Sequence, residues 1–106
     1  MAAVTQRQLP SQTGQFIRVL QKHLPELRQA YGVRALWLFG SYVRGQKKRA
    51  SDLDVLVEFD ITPSFFRFIE LEDHLSELLG VKVDLVMKRA LKPAIGARIL
   101  AEMVTV

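Results

Sequence analysis

The sequence contains no cysteine, which excludes a disulfide framework, a zinc ribbon, thiol catalysis and redox sensing together. That absence fits a reducing cytoplasm. No uncharged stretch approaches the ~20 residues that a membrane-crossing helix needs. The opening Met1–Pro10 mixes Gln, Arg and Thr with Ala and Val and lacks the apolar run of a signal peptide. The expectation is a cytoplasmic protein without membrane contact. Acidic residues are scarce in one half only. Residues 1–50 carry nine Lys or Arg and one acid, Glu26, whereas residues 51–106 carry six Lys or Arg and ten acids. A basic half suits phosphate or an acidic partner and an acidic half suits a cation, although two solvated faces would look the same. Internal repeats and low-complexity tracts are absent.

What is present is an ordinary globular composition, 49% hydrophobic and 25% charged over 106 residues, enough for a single domain with a core. Residues 1–15 read as an N-terminal arm, with Ser11 or Thr13 able to cap a first helix. Phe16, Leu20, Leu24, Leu27 and Tyr31 then form one helical stripe. Pro25 falls inside it and predicts a kink or break near His23 and Leu24, and Gly32 ends it. Ala35–Phe39 is a continuous apolar run that reads as a strand covered on both faces. Leu53–Phe59 alternates as a strand, and Val81–Val86 alternates likewise. Between them Pro63 and Ser64 open a helix striped by Phe68, Leu71, Leu75 and Leu78 and stopped by Gly80. Pro93 suits the first turn of a last helix carrying Ile95, Ile99 and Met103. The result is an α/β (α+β) chain: a small mixed β-sheet with helices mainly on one face. Leu36, Leu38, Val55, Val57, Leu71, Leu75, Leu78, Val83 and Leu85 are its expected core.

The chemistry concentrates in two places. After the first strand comes Gly40-Ser41-Tyr42-Val43-Arg44-Gly45. Glycine lets backbone approach a ligand closely, amides at a turn can meet phosphate, and Ser41 adds a hydroxyl. On its own, Gly-Ser after a strand is usually a turn. Asp52 and Asp54 lie two apart on a predicted strand, so their side chains point to the same face from backbone positions about 6.5 Å apart. Asp is depleted in strands, and a divalent metal would give the pair a task, its oxygen-only donors selecting Mg²⁺ or Mn²⁺ over zinc. A solvent-facing edge or an Asx turn at Ser51-Asp52 is the plain alternative. Asp84, outward on the third strand, brings a third carboxylate if the two strands are neighbours. Three carboxylates facing a Gly-Ser loop suit metal-assisted phosphoryl or nucleotidyl transfer.

Gly40-Ser41, ten intervening residues and Asp52-x-Asp54 resemble the signature of the DNA polymerase β-type nucleotidyltransferase superfamily. Arg44-Gly45, Ser51 and Leu91-Lys92-Pro93 resemble its small branch, the minimal nucleotidyltransferase (MNT) proteins that include MntA-like antitoxins of MNT/HEPN toxin–antitoxin systems. The likeness runs from about Leu24 to the C-terminus; Met1–Gln15 has no counterpart. It implies the nucleotidyltransferase fold and a Mg²⁺-dependent protein adenylyltransferase that transfers AMP from ATP to a tyrosine of a cognate HEPN ribonuclease toxin. Carried over residue by residue, it implies that Asp52, Asp54 and Asp84 are the catalytic, metal-holding carboxylates. Gly40, Ser41 and Arg44 would hold the nucleotide phosphates. A hetero-oligomer with the toxin is implied, and no direct nucleic-acid binding. Two alternatives stand beside this. One is transfer to a small-molecule acceptor, which relatives achieve with an additional helical domain. The other is a non-catalytic antitoxin that only masks its partner.

Lys47, Lys48 and Arg49 form a basic run, which relatives often lack, and which suits an acidic partner, RNA bound to the toxin or the triphosphate, or simply a solvated loop. His23 and His74 are lone histidines expected at the surface. Trp37 and Tyr42 are expected to pack rather than stack on a base. Phe65, Phe66 and Phe68 crowd one helix start, so at least one is expected to be exposed.

Overall fold

The structure, a computed structural model, describes residues 9–106. Elements follow in the order α1 (Ser11–Tyr31), β1 (Val33–Phe39), α2 (Ser41–Arg44), β2 (Leu53–Phe59), α3 (Phe65–Leu79), β3 (Val83–Met87), α4 (Pro93–Glu102) and β4 (Val104–Thr105), with a 3₁₀ turn at Lys88–Ala90. The sheet order is β3-β2-β1-β4. β1 runs antiparallel to β2 and to β4, and β2 runs parallel to β3. The parallel pair is joined through α3, as a parallel connection requires a crossover. This is the small mixed sheet expected from the sequence.

The register sorts the two faces. Leu38 pairs with Val55 and Leu36 with Val57, while Val83 and Leu85 pair with Leu53 and Val55. These residues form the core with Phe16, Ile17, Leu20 and Leu27 of α1 and Leu71 and Leu75 of α3. Burying each large aliphatic side chain contributes about 1.5–3 kcal/mol. Of the expected core, only Leu78 is merely half-buried, at the margin. The opposite face carries Trp37, Phe39, Asp54, Leu56 and Asp84. The expectation that β1 is covered by structure on both faces needs correction there: Trp37 is half-buried, and the Lys88 ammonium lies 4.7 Å from its ring centre.

Local signals place the helix ends. Gly32 and Gly80 close α1 and α3 in the left-handed conformation. Ser64 accepts the Arg67 amide at 3.2 Å, and Pro93 occupies the first turn of α4. Two expectations fail, the cap and the extent of the arm. The cap of α1 is Pro10, without a side-chain hydrogen bond, so residues 11–15 are helix rather than arm, and residues 1–8 lie outside the described residues. Thr13 is buried inside α1, where its hydroxyl donates to the Tyr42 carbonyl at 2.9 Å and ties α1 to α2. Pro25 does not break α1, which runs through it. Pro25 and Gln21, whose carbonyl loses its partner, are both exposed, so water can replace the missing bond.

β3 begins at Val83 rather than Val81. Its outer amides are taken by α3: Val83 N–H donates to Ser76 Oγ at 3.0 Å and Leu85 N–H to Glu72 Oε2 at 2.8 Å. The edge strand is thereby closed to further pairing. No helix among the described residues is long and apolar enough to cross a membrane.

Candidate active site

The β1–α2 turn depends on Gly40. Its φ of 81° and ψ of −157° fall in a region open essentially to glycine. A Cβ there would land on Asp54 Oδ2. Gly40 therefore leaves room for a carboxylate to lie directly against backbone. Ser41 follows as the first residue of α2, and its carbonyl accepts the Gln46 amide at 2.9 Å.

Strand register supplies the acids. Phe39 faces Asp54 across the antiparallel pair, and Asp54 faces Asp84 across the parallel pair. Asp54 and Asp84 thus stand side by side on one face. Asp52 enters from the loop just before β2 and makes a loose 3.9 Å contact with Lys82 Nζ. Ser51 Oγ accepts the Lys48 amide at 2.8 Å, so the turn here is built by the serine rather than by Asp52.

Electrostatics single out Asp54. Burial raises its pKa most, and Asp84, Asp52 and Glu102 add repulsion that Arg44 only partly offsets, leaving it at about 6. The carboxylates are close enough to disturb one another, but among the described residues no three acidic, His or Cys side chains already converge as a metal cage. An all-oxygen donor set under mutual repulsion fits a hard divalent cation, whose charge would relieve it.

Arg44 does not point free into the cleft. Its Nη1 lies 2.9 Å from both carboxylate oxygens of Glu102, and its Nε donates to Gln46 at 3.2 Å. Glu102 Oε2 also accepts the Gly40 amide at 2.6 Å. Sequence reasoning missed Glu102, which sits 62 residues from Gly40. The one available hint was that it is the only acid after Asp84. A cleft of about 220 Å³ opens here, walled by Phe39, Gly40, Asp54, Ile95, Arg98 and Glu102 among others. α4 is thus a wall of the site rather than a plain core helix, and Ile95 is exposed.

The remaining candidates sit elsewhere. Tyr42 is buried edge-on against Phe16 with ring centres 5.7 Å apart, so it packs as expected. Lys47 lies 5.4 Å from the Tyr42 ring centre, and Lys48 and Arg49 are exposed. Phe68 packs on Phe59, while Phe65 and Phe66 stand 72% and 78% exposed beside exposed Ile61. That patch follows the end of β2 opposite to Asp54. A second cavity, of about 160 Å³, includes Arg34, Glu58 and Arg89 and none of the expected site residues.

Comparison with known proteins identifies the family. The family model described as a nucleotidyltransferase domain matches residues 20–106. The chain is 52% identical over 88 residues to the protein adenylyltransferase MntA of Thermococcus cleftensis, covering 83% of this chain and 89% of that protein. Among solved structures, one described as a minimal nucleotidyltransferase superposes with a TM-score of 0.71 at 32% identity, covering 87% of this chain and 94% of the other. A toxin–antitoxin structure with AMP-PNP superposes with a TM-score of 0.64 at 25% identity, covering 91% of this chain and 72% of that one.

Proposed function

The chain belongs to the nucleotidyltransferase domain family and is an enzyme of that kind; from this premise we propose that it is an antitoxin that transfers AMP from ATP to a tyrosine of a HEPN-type toxin encoded beside it. The observation that carries the reading is Asp54, half-buried against Gly40, with Asp84 in register beside it and Asp52 two residues away. Such a concentration of negative charge opposes folding unless a cation or a proton answers it.

In this reading Asp52 and Asp54 would hold Mg²⁺, with Asp84 as the third carboxylate. When bound, the metal supplies charge neutralisation for the attacking and leaving oxygens of an in-line displacement. The Gly40 turn, the Ser41 hydroxyl and Arg44 hold the triphosphate and fix the α-phosphorus. Asp84, the third carboxylate, would take the proton of the attacking tyrosine hydroxyl. The tyrosine oxygen bonds to the α-phosphorus, the bond from that phosphorus to the bridging oxygen breaks, and pyrophosphate leaves with the electron pair. Positioning and charge account for most of the catalysis in such transfers. The relative from Thermococcus cleftensis is a protein adenylyltransferase by name, and the toxin–antitoxin neighbour carries a nucleoside triphosphate analogue. The first supports a protein acceptor, and the second supports a two-protein system that uses a nucleoside triphosphate. The test is transfer of label from α-labelled ATP to the partner, which should require a divalent cation and vanish when Asp54 is changed to Asn.

A further inference from the structure

Resting on the nucleotidyltransferase reading, we propose that Glu102 is a built-in competitor for the nucleotide, occupying with its own carboxylate the seat that a phosphate group takes. In the free chain that carboxylate makes the bonds an anionic oxygen would make. It accepts from the Gly40 amide at 2.6 Å and from Arg44 Nη1 at 2.9 Å through both oxygens. Gly40, Arg44 and Glu102 all line the cleft that holds Asp54.

Nothing in the packing of α4 calls for a negative charge at this point. Glu102 is the last residue of the helix, where the helix dipole disfavours an anion. A neutral Gln would accept the same Gly40 amide and tie α4 to the β1–α2 turn equally well. Charge adds something only toward Arg44, and Arg44 is the cation that the entering phosphates need. A triphosphate carries more charge than one carboxylate, so it can displace Glu102. The side chain is 21% exposed and can turn outward, and Arg98, one turn earlier on α4, remains in the cleft wall. The consequence is an affinity for nucleotide set below what the seat alone would give, with Arg44 kept in place and shielded from other anions until nucleotide arrives.

The test is Glu102→Gln in the full chain, without partner. ATP with Mg²⁺, and separately inorganic tripolyphosphate, are titrated by calorimetry into wild type and variant, with thermal melting to confirm that both are folded. The competitor predicts that Kd falls roughly five- to tenfold in the variant for both ligands, the scale of exchanging one charge-assisted hydrogen bond for a neutral one. It also predicts that the Gly40 amide resonance of the wild type moves at saturating tripolyphosphate, a readout independent of the variant. Equal or weaker binding by Glu102→Gln, or an unmoved Gly40 amide, overturns the competitor while leaving the adenylyltransferase reading intact if wild type binds ATP and transfers AMP. Absence of binding in both proteins overturns the two together.

Discussion

Replacing Asp54 by Asn should make the metal-free protein more stable at neutral pH, although it removes a proposed ligand. In the folded chain the Asp54 carboxyl titrates at about 6 rather than its ordinary 3.8, chiefly through burial and then through Asp84 and Asp52. Such a step is worth about 3 kcal/mol for a fully desolvated group. Asp54 is only half-buried, so solvent screening reduces the figure to about 1 kcal/mol. The sign follows from linkage. The folded state binds the proton more tightly than the unfolded chain, so folding is favoured below about pH 4. That advantage is lost as pH rises through 6, and the full penalty stands at pH 7.5. Urea unfolding in EDTA should therefore find Asp54→Asn more stable than wild type by about 1 kcal/mol at pH 7.5, with the difference closing toward pH 4. Asp84→Asn should recover part of the gain, since Asp84 is the foremost charge acting on Asp54. Added Mg²⁺ should stabilise wild type and leave Asp54→Asn nearly unchanged. A variant less stable than wild type at pH 7.5, or a gain that does not shrink on acidification, would refute the reasoning.

Gly40→Ala should lose transfer and cost roughly 1–3 kcal/mol from backbone strain alone, more if the Asp54 carboxylate cannot move aside; Gly80→Ala, with open space around it, should cost about 1 kcal/mol and leave activity untouched, as melting curves and transfer rates will show. Asp52→Asn should still bind the partner in a pull-down yet fail to protect cells when the partner is in excess, because it alters metal affinity and not core packing; full rescue at low stoichiometry would favour simple masking.

The parts legible in the sequence are those fixed by near neighbours. β2 was readable to its ends because Leu53, Val55 and Val57 alternate with Asp54 and Glu58, and the caps at Gly32, Ser64 and Gly80 follow from local backbone chemistry. β3 was placed two residues early because the alternation of Val81 and Val83 continues through a turn; what fixes its start is the Ser76 hydroxyl, bonded to the Val83 amide. The proline alone predicts a kink or a break at Pro25, but the helix continues through it, with Leu20 and Leu27 anchored in the core on either side. β4 is two residues long, too short for any periodicity to show, and it exists because β1 offers an edge. In the site, the spacing from Gly40 to Asp54 and the outward position of Asp84 could be read directly, since strand alternation governs both. The Gly40–Glu102 contact could not, because only the folded chain brings the two residues together.

In the proposed reaction this chain moves AMP onto a partner protein. The most direct measurement is intact-mass spectrometry of both proteins after incubating the chain with the proposed HEPN-type partner, ATP and Mg²⁺, in parallel with Asp54→Asn. The account predicts that the partner gains the mass of one or more AMP groups on a tyrosine, only with ATP and metal, and that the variant leaves it unchanged. A partner that is bound and silenced while its mass stays constant would contradict the account.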